Sequence, residues 1–202
     1  MTTDQVLYRL RKALWPFCAK KKLLDEETYD LYGPIWIMIT LVVEMTIVGF
    51  INYQIDVETM MYEIKHGSIP TGYMSLYSLD RVAVAGFIMI AYFILNPLML
   101  LLLAKYVVWI QYIEYTYIFS IYGYSFTSFI VGIALTVIPT TWMNWAVLIY
   151  AGVNSLLSIF IEMYDLISYK LKEGCGKFVI IVLWLMASHA VFIIALMNYF
   201  LS

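Results

Sequence analysis

The scarcity of charge is the most informative feature of the chain. Only 13% of its 202 residues are charged and 63% are hydrophobic, against roughly 25% charged residues in soluble domains. A soluble fold of this length could not bury so much apolar side chain, because a large part of any small domain faces its solvent. The composition therefore predicts an integral membrane protein whose solvent is the lipid bilayer.

Cysteine, basic excess and catalytic motifs are also scarce. The two cysteines, Cys18 and Cys175, form neither a C-x-x-C pair nor a metal-spaced cluster. A net charge of −2 argues against nucleic acid, whose phosphates require a basic surface. The motifs H-E-x-x-H, G-x-S-x-G and the P-loop are missing, and so are paired membrane aspartates. We therefore expect a protein that is not an enzyme and that holds no metal or cofactor.

Long apolar runs are what the chain has in abundance. A helix needs about 20 apolar residues to cross the bilayer, and a helix satisfies its own backbone polar groups there. Five stretches qualify, at about 34–53, 82–103, 118–138, 142–161 and 178–200. The short connection at Pro139 predicts that the third and fourth spans form an antiparallel hairpin. The expected fold class is all-α, a polytopic bundle with a cytosolic segment at 1–33 and a five-span membrane domain at 34–202.

Lysine and arginine are distributed unevenly about these spans. Ten fall on the side of the N-terminus, namely Arg9, Arg11, Lys12, Lys20, Lys21, Lys22, Lys105, Lys170, Lys172 and Lys177. The opposite side has only Lys65 and Arg81. Because basic residues concentrate in cytoplasmic loops, the N-terminus is predicted to be cytosolic and the C-terminus lumenal.

The N-terminal segment has the pattern of a short amphipathic helix. Thr3 or Asp4 begins it and Pro16 ends it. At 100° per residue the apolar side chains share one arc and the basic ones lie opposite: Val6, Leu7, Leu10, Ala13 and Leu14 against Arg9, Arg11 and Lys12. Such a helix either lies on the leaflet with its basic residues toward headgroups, or packs against the bundle or a partner.

Two ionisable residues fall in the middle of predicted spans, Glu44 in the first and His189 in the fifth. Charged groups are costly in a bilayer, so each is a functional candidate by default. Their similar depth would allow imidazole to donate to carboxylate. One interpretation is a site for proton relay or transport, and the other is polar packing between helices. A further narrow face in the fourth span, formed by Ala151, Gly152, Asn154, Ser155 and Ser158, is typical of close helix packing.

Two short strings carry a family resemblance. The first, DLYGPIWI, occupies 30–37 at the mouth of the first span, and the second, YGYSF, occupies 122–126 in the third span. Together they resemble the Yip domain family, the Ypt/Rab-interacting membrane proteins of the Golgi and early secretory pathway. The segments 2–17, 138–145 and 188–200 resemble a Golgi subgroup of that family, so the similarity extends over nearly the whole chain. The motif residues carried over are Asp30, Leu31, Tyr32, Gly33, Pro34, Tyr122, Gly123 and Tyr124.

The resemblance implies a non-enzymatic adaptor or scaffold of vesicle-mediated transport. Its implied partners are prenylated small GTPases of the Rab/Ypt type and sister family proteins, with which it would form oligomers. The motif residues either contact a partner or hold the fold. The chain departs from the family pattern in its short N-terminal region and in Glu44, which the pattern does not require. The alternative class is a small transporter or lipid-handling protein that uses Glu44 and His189.

Overall fold

The structure is a computed structural model that describes residues 3–16, 29–67, 79–107, 109–110, 113–138, 140–171 and 175–200. It is all-α, and these residues contain no β-strand. The helices are α1 (Thr3–Leu14), α2 (Tyr32–Lys65), α3 (Leu79–Leu102), α4 (Tyr115–Ser125), α5 (Thr127–Leu135), α6 (Thr141–Leu171) and α7 (Cys175–Phe200). A π-helical turn, Leu103–Val107, extends α3. Cys18, Lys20, Lys21, Lys22 and Pro139, named in the sequence analysis, lie outside the described residues.

Within the described part of the chain, five helical segments are long and apolar enough to cross a membrane, as the predicted five-span bundle requires. They are Tyr32–Lys65, Val82–Val107, Tyr115–Leu135, Thr141–Tyr164 and Val179–Phe200. Many of their leucine, isoleucine, valine and phenylalanine side chains face outward, as a hydrocarbon solvent permits. Five tryptophan and tyrosine side chains predicted at the span ends are exposed there: Trp36, Trp109, Trp142, Trp145 and Tyr199.

Several helix ends in the structure differ from the predicted span ends. Helix α2 continues twelve residues past the predicted end at Tyr53, because no proline or glycine interrupts the chain before Gly67, which has φ +72°. Helix α6 likewise runs beyond Ile161 to Leu171. The third span begins at Tyr115 and has a turn at Phe126, where α4 gives way to α5.

A group of packed aromatic rings lies within the bundle. The rings of Tyr92 and Phe192 stack at 4.3 Å, and Phe126 and Phe129 complete the group with centroid separations of 5.3–5.8 Å. Because these side chains come from α3, α4–α5 and α7, they join three of the five spans at one level. Each such ring pair adds about 0.5–1.5 kcal/mol beyond its burial.

The hairpin predicted between the third and fourth spans is present, since α5 packs along α6. A Cβ added at Gly132 would lie 3.0 Å from the Cβ of Ala151, so these two backbones approach closely. Ala151, Gly152, Asn154, Ser155 and Ser158 are all buried, as expected for a packing face.

Helix α1 packs against α4, α5 and α6. The boundary predicted at residue 33 is therefore not a boundary in the packing, and α1 is part of the helical bundle. Of the two arrangements left open by its sequence, the structure has α1 against the bundle.

Candidate functional site

The two motif strings, about 90 residues apart in sequence, meet in the structure. The Tyr124 hydroxyl donates to Asp30 Oδ2 at 2.8 Å, and the Gly33 amide donates to Asp30 Oδ1 at 2.8 Å. The Ser120 hydroxyl donates to the Asp30 carbonyl at 2.7 Å. The Asp30 carboxylate thus ties the entrance of α2 to the last turn of α4.

The glycines of both motifs are required by this contact. A Cβ on Gly123 would lie 2.2 Å from Pro34 Cβ and 2.7 Å from Pro34 Cα, which is a backbone atom. A Cβ on Gly33 would lie 2.2 Å from the Tyr124 hydroxyl oxygen. Distances under 3.0 Å do not occur between real Cβ atoms and their neighbours, so each glycine is the residue that lets α2 and α4 touch.

Basic residues of α1 complete the same site. Arg9 forms an ion pair with Asp30 and lies 5.5 Å from the centre of the Tyr124 ring. Lys12 Nζ lies 2.7 Å from Glu162 Oε1 on α6. The Lys12 and Glu162 side chains are only 4% and 3% exposed, so each buried charge is compensated by its partner.

The carbonyl end of α1 is held by polar side chains of α5 and α6. Asn154 donates to the Ala13 carbonyl at 2.9 Å and to the Leu14 carbonyl at 3.3 Å. Ser128 and Ser158 donate to the same Ala13 carbonyl at 3.4 and 3.3 Å. Since the last carbonyls of a helix have no partner within it, Asn154 acts as a cap supplied by another helix. We call Arg9, Lys12, Asp30, Tyr124, Asn154 and Glu162 the N-terminal cluster.

Sequence reasoning found half of this cluster. It singled out Asp30 and Tyr124 through the motifs, and Asn154 through the narrow face of the fourth span. It gave Arg9 and Lys12 no partner within the protein, and it left Glu162 just beyond a span end. The signal available was the spacing of Arg9 and Lys12, which places them with Ala13 on one arc of α1. That arc faces the protein, because Arg9, Lys12 and Ala13 are buried.

The motif residues divide by exposure. Gly33, Pro34, Tyr122, Gly123 and Tyr124 are buried, and Asp30 is partly buried. Leu31 and Tyr32 are 42% and 68% exposed. The Tyr32 ring meets Trp36 edge to face at 5.9 Å. These two exposed residues are the motif positions at which another molecule could make contact.

Glu44 and His189 are not joined by a hydrogen bond or ion pair. His189 Nδ1 lies 2.8 Å from the Tyr92 hydroxyl and 3.0 Å from the Leu185 carbonyl. Its Nε2 and Glu44 Oε2 are buried without a hydrogen-bond partner in the described part of the chain, as is the Tyr122 hydroxyl. The expected pairing of Glu44 with His189 is therefore not present, and Tyr92 takes the place of the carboxylate.

A groove of about 480 Å³ lies between α3 and α7. Its walls are apolar apart from Tyr92, Asn96, Trp184 and Ser188. Asn96 donates to Ser188 at 3.1 Å and accepts from the Trp184 indole at 3.0 Å, so its amide is already satisfied within the protein. Neither Glu44 nor His189 lines this groove.

Fold and site together define an all-helical integral membrane protein that carries a buried ionic cluster at one end of its bundle. No protein-family model, curated protein or solved structure matches the chain. What it does must therefore be argued from its own residues.

Proposed function

We propose that the protein is a non-enzymatic adaptor or scaffold of vesicle-mediated transport in the Golgi and early secretory pathway. Its N-terminus would be cytosolic and its C-terminus lumenal, on the ten-to-two distribution of basic residues. Its partners would be a prenylated small GTPase of the Rab/Ypt type and sister proteins of the same kind. The proposal rests on the resemblance to the Yip domain family.

The observation that carries this proposal is the contact between the two motif strings. A chance likeness in two strings gives no reason for them to touch, yet Asp30 accepts from Tyr124 and Pro34 packs on Gly123. Their joint occurrence then has a physical cause, since each glycine and each polar group serves the same helix crossing. This supports reading the strings as one motif.

The exposed motif residues are the proposed contact with the GTPase or the sister protein. Leu31 and Tyr32 stand at the head of α2, beside Trp36, where an aromatic surface meets the membrane interface. Tyrosine and tryptophan are enriched in the energetically important parts of interfaces. The buried motif residues would keep this surface in place.

Crosslinking in native membranes followed by mass spectrometry tests the proposal. The wild type should capture a prenylated small GTPase or a sister protein, and Tyr32→Ala should capture less. Tyr62→Ala is the matched control, because Tyr62 is a 65% exposed tyrosine at the other end of the same helix. If the wild type captures neither kind of partner, the proposal is wrong.

Deleting 1–33 is a poor alternative experiment. The deletion would remove Arg9, Lys12 and Asp30 together and would leave Glu162 buried without its counter-charge. Loss of partner binding would then follow from loss of folding. Substitution at exposed Tyr32 avoids that difficulty.

A second candidate function is transport or lipid handling through Glu44 and His189. The observation in its favour is that Glu44 Oε2 and His189 Nε2 are buried within spans and lack hydrogen-bond partners among the described residues. Reconstituted vesicles should then show a pH-dependent flux that Glu44→Gln abolishes and Glu58→Gln, an exposed change on the same helix, does not. An equal flux in wild type and Glu44→Gln would exclude this role.

A further inference from the structure

Helix α1 has the polarity of a membrane-embedded element. Its charged residues Arg9 and Lys12 are 4% and 5% exposed and face the bundle. Leu7 is 58% exposed and faces away from the bundle, as does Trp15 just after the helix, which is 63% exposed. Of the other apolar residues, Leu10 packs against the core and Ala13 is buried. A helix in water between solvent and protein shows the opposite arrangement, with charges outward and apolar residues inward.

The depth of α1 within the bundle also supports a position inside the membrane. The Ala13 carbonyl accepts from Ser128, which lies 13 residues after Tyr115 in a 21-residue span. It also accepts from Asn154, which lies 13 residues after Thr141 in a 24-residue span running in the opposite direction. At about 1.5 Å per residue, both partners sit about 20 Å from the start of their spans. The carboxyl end of α1 is therefore near the middle depth of two transmembrane helices.

The charges of α1 are compatible with such a position. Arg9 and Lys12 are neutralised by Asp30 and Glu162 within the protein. Arg11 is exposed on the outward side near the carboxyl end, where its long aliphatic stem can lie along apolar surface. Asp4 is at the opposite end of the helix. Tyr8, exposed in the amino-terminal half, is a residue type that favours the membrane interface.

We propose that α1 is a lipid-facing part of the membrane domain, with Leu7 and the exposed part of Leu14 in contact with the hydrocarbon of one leaflet. The occupant of this outward face is lipid, because the face is continuous in depth with spans whose own exposed side chains are apolar. Residues 3–14 then belong to the membrane domain and are not a water-exposed arm. This inference does not depend on binding to a GTPase.

Spin-label accessibility tests this assignment on the full-length protein in lipid nanodiscs. Cys18 and Cys175 are first replaced by serine, and single labels are attached at Leu7→Cys and Leu14→Cys. Two exposed positions calibrate the measurement: Phe87→Cys on the outward face of α3, 73% exposed, and Met61→Cys on the polar extension of α2, 64% exposed. Molecular oxygen partitions into lipid, whereas a charged nickel chelate stays in water.

The oxygen-to-nickel ratio at residues 7 and 14 should match that of residue 87 and exceed that of residue 61. A ratio equal to that of residue 61 would mean that α1 faces water and would overturn the inference. Protection from both reagents would mean that a second copy of the chain covers the face, which would overturn it equally. Nickel access in nanodiscs that is lost in native membranes would identify a protein partner in place of lipid.

Discussion

At the scale of single residues, the crossing of α2 and α4 depends on the absence of two side chains. Gly123 has the stricter requirement, because an added Cβ would collide with the backbone of Pro34 as well as with its ring. At Gly152 the nearest atom is the terminal Cδ1 of Ile193, which can rotate away. The stability lost when a glycine is replaced by alanine therefore depends on whether the atoms that the new methyl group contacts can move.

Gly123→Ala should destabilise the protein by about 1–3 kcal/mol, the usual cost of overpacking where the neighbour cannot move. Gly86→Ala is the matched control, since a Cβ there meets nothing within 4 Å and alanine favours helix by about 0.8–1.0 kcal/mol. Thermal unfolding in nanodiscs measures both. Equal unfolding temperatures for the two variants would show that α2 and α4 do not cross at Pro34.

The hydrogen bond from the Tyr124 hydroxyl to Asp30 is a second contact that depends on a single residue. Tyr124→Phe keeps the ring and removes the 2.8 Å hydrogen bond to Asp30, so a loss of about 1.5–3 kcal/mol is expected for a bond to a charged group. Tyr106→Phe, at a tyrosine that is 75% exposed, should leave stability unchanged. Chemical denaturation in detergent reports both values, and unchanged stability of Tyr124→Phe would mean that Arg9 and the Gly33 amide hold the Asp30 carboxylate without Tyr124.

At the scale of elements, the spans were predictable and the orientation of α1 was not. Each span is a run of apolar residues, and the bilayer imposes its length independently of any neighbour. The side of α1 that faces the protein depends on Asp30 and Glu162, which lie 18 or more residues further along the chain. A helical wheel shows that Arg9 and Lys12 share an arc. It does not show that acidic residues from other helices and loops lie against that arc.

The same reasoning explains Glu44 and His189. Their depth was readable from the sequence, but hydrogen bonding depends on the rotation of each helix about its own axis. His189 is turned toward Tyr92 of α3, a residue whose hydroxyl gives no signal in an apolar run. The hydrogen-bond partner of a buried polar side chain is therefore set by how its helix is rotated about its own axis, and not by the depth of the residue in the bilayer.

The Lys12–Glu162 pair is the element-scale contact that holds α1 to α6. Removing one charge by Lys12→Met or by Glu162→Leu leaves the other buried, so each single variant should lose about 3–5 kcal/mol. The double variant should recover much of that loss, because no uncompensated charge remains. Lys65→Met, at an exposed lysine that ends α2, is the control for loss of a lysine.

Unfolding free energies of the four proteins complete a double-mutant cycle. We expect the double variant to lose much less free energy of unfolding than the sum of the losses of the two single variants. Single variants whose losses simply add would show that Lys12 and Glu162 do not interact, and α1 would then have to be held by its hydrogen bonds to Asn154 and the serines.

At the scale of the whole molecule, the proposed five-span topology predicts that the two ends of the helical domain lie on opposite sides of the bilayer. The basic residues predict which side is which, because ten of the twelve lie with the N-terminus. Labelling at two exposed positions tests this topology. Tyr106 lies at the end of the second span, on the side predicted for the N-terminus, and Met61 lies on the part of α2 that extends past the predicted end of the first span.

Single cysteines at these positions, in a chain with Cys18 and Cys175 changed to serine, should label from opposite sides of sealed microsomes. A membrane-impermeant maleimide added outside should modify Tyr106→Cys at once, whereas Met61→Cys should react only after detergent opens the vesicles. Both cysteines reacting from outside would mean that the second span, which separates residues 61 and 106, does not cross the bilayer. Met61→Cys reacting alone would keep the five helices and reverse the orientation, and the proposed cytosolic partner would then have no access to Tyr32.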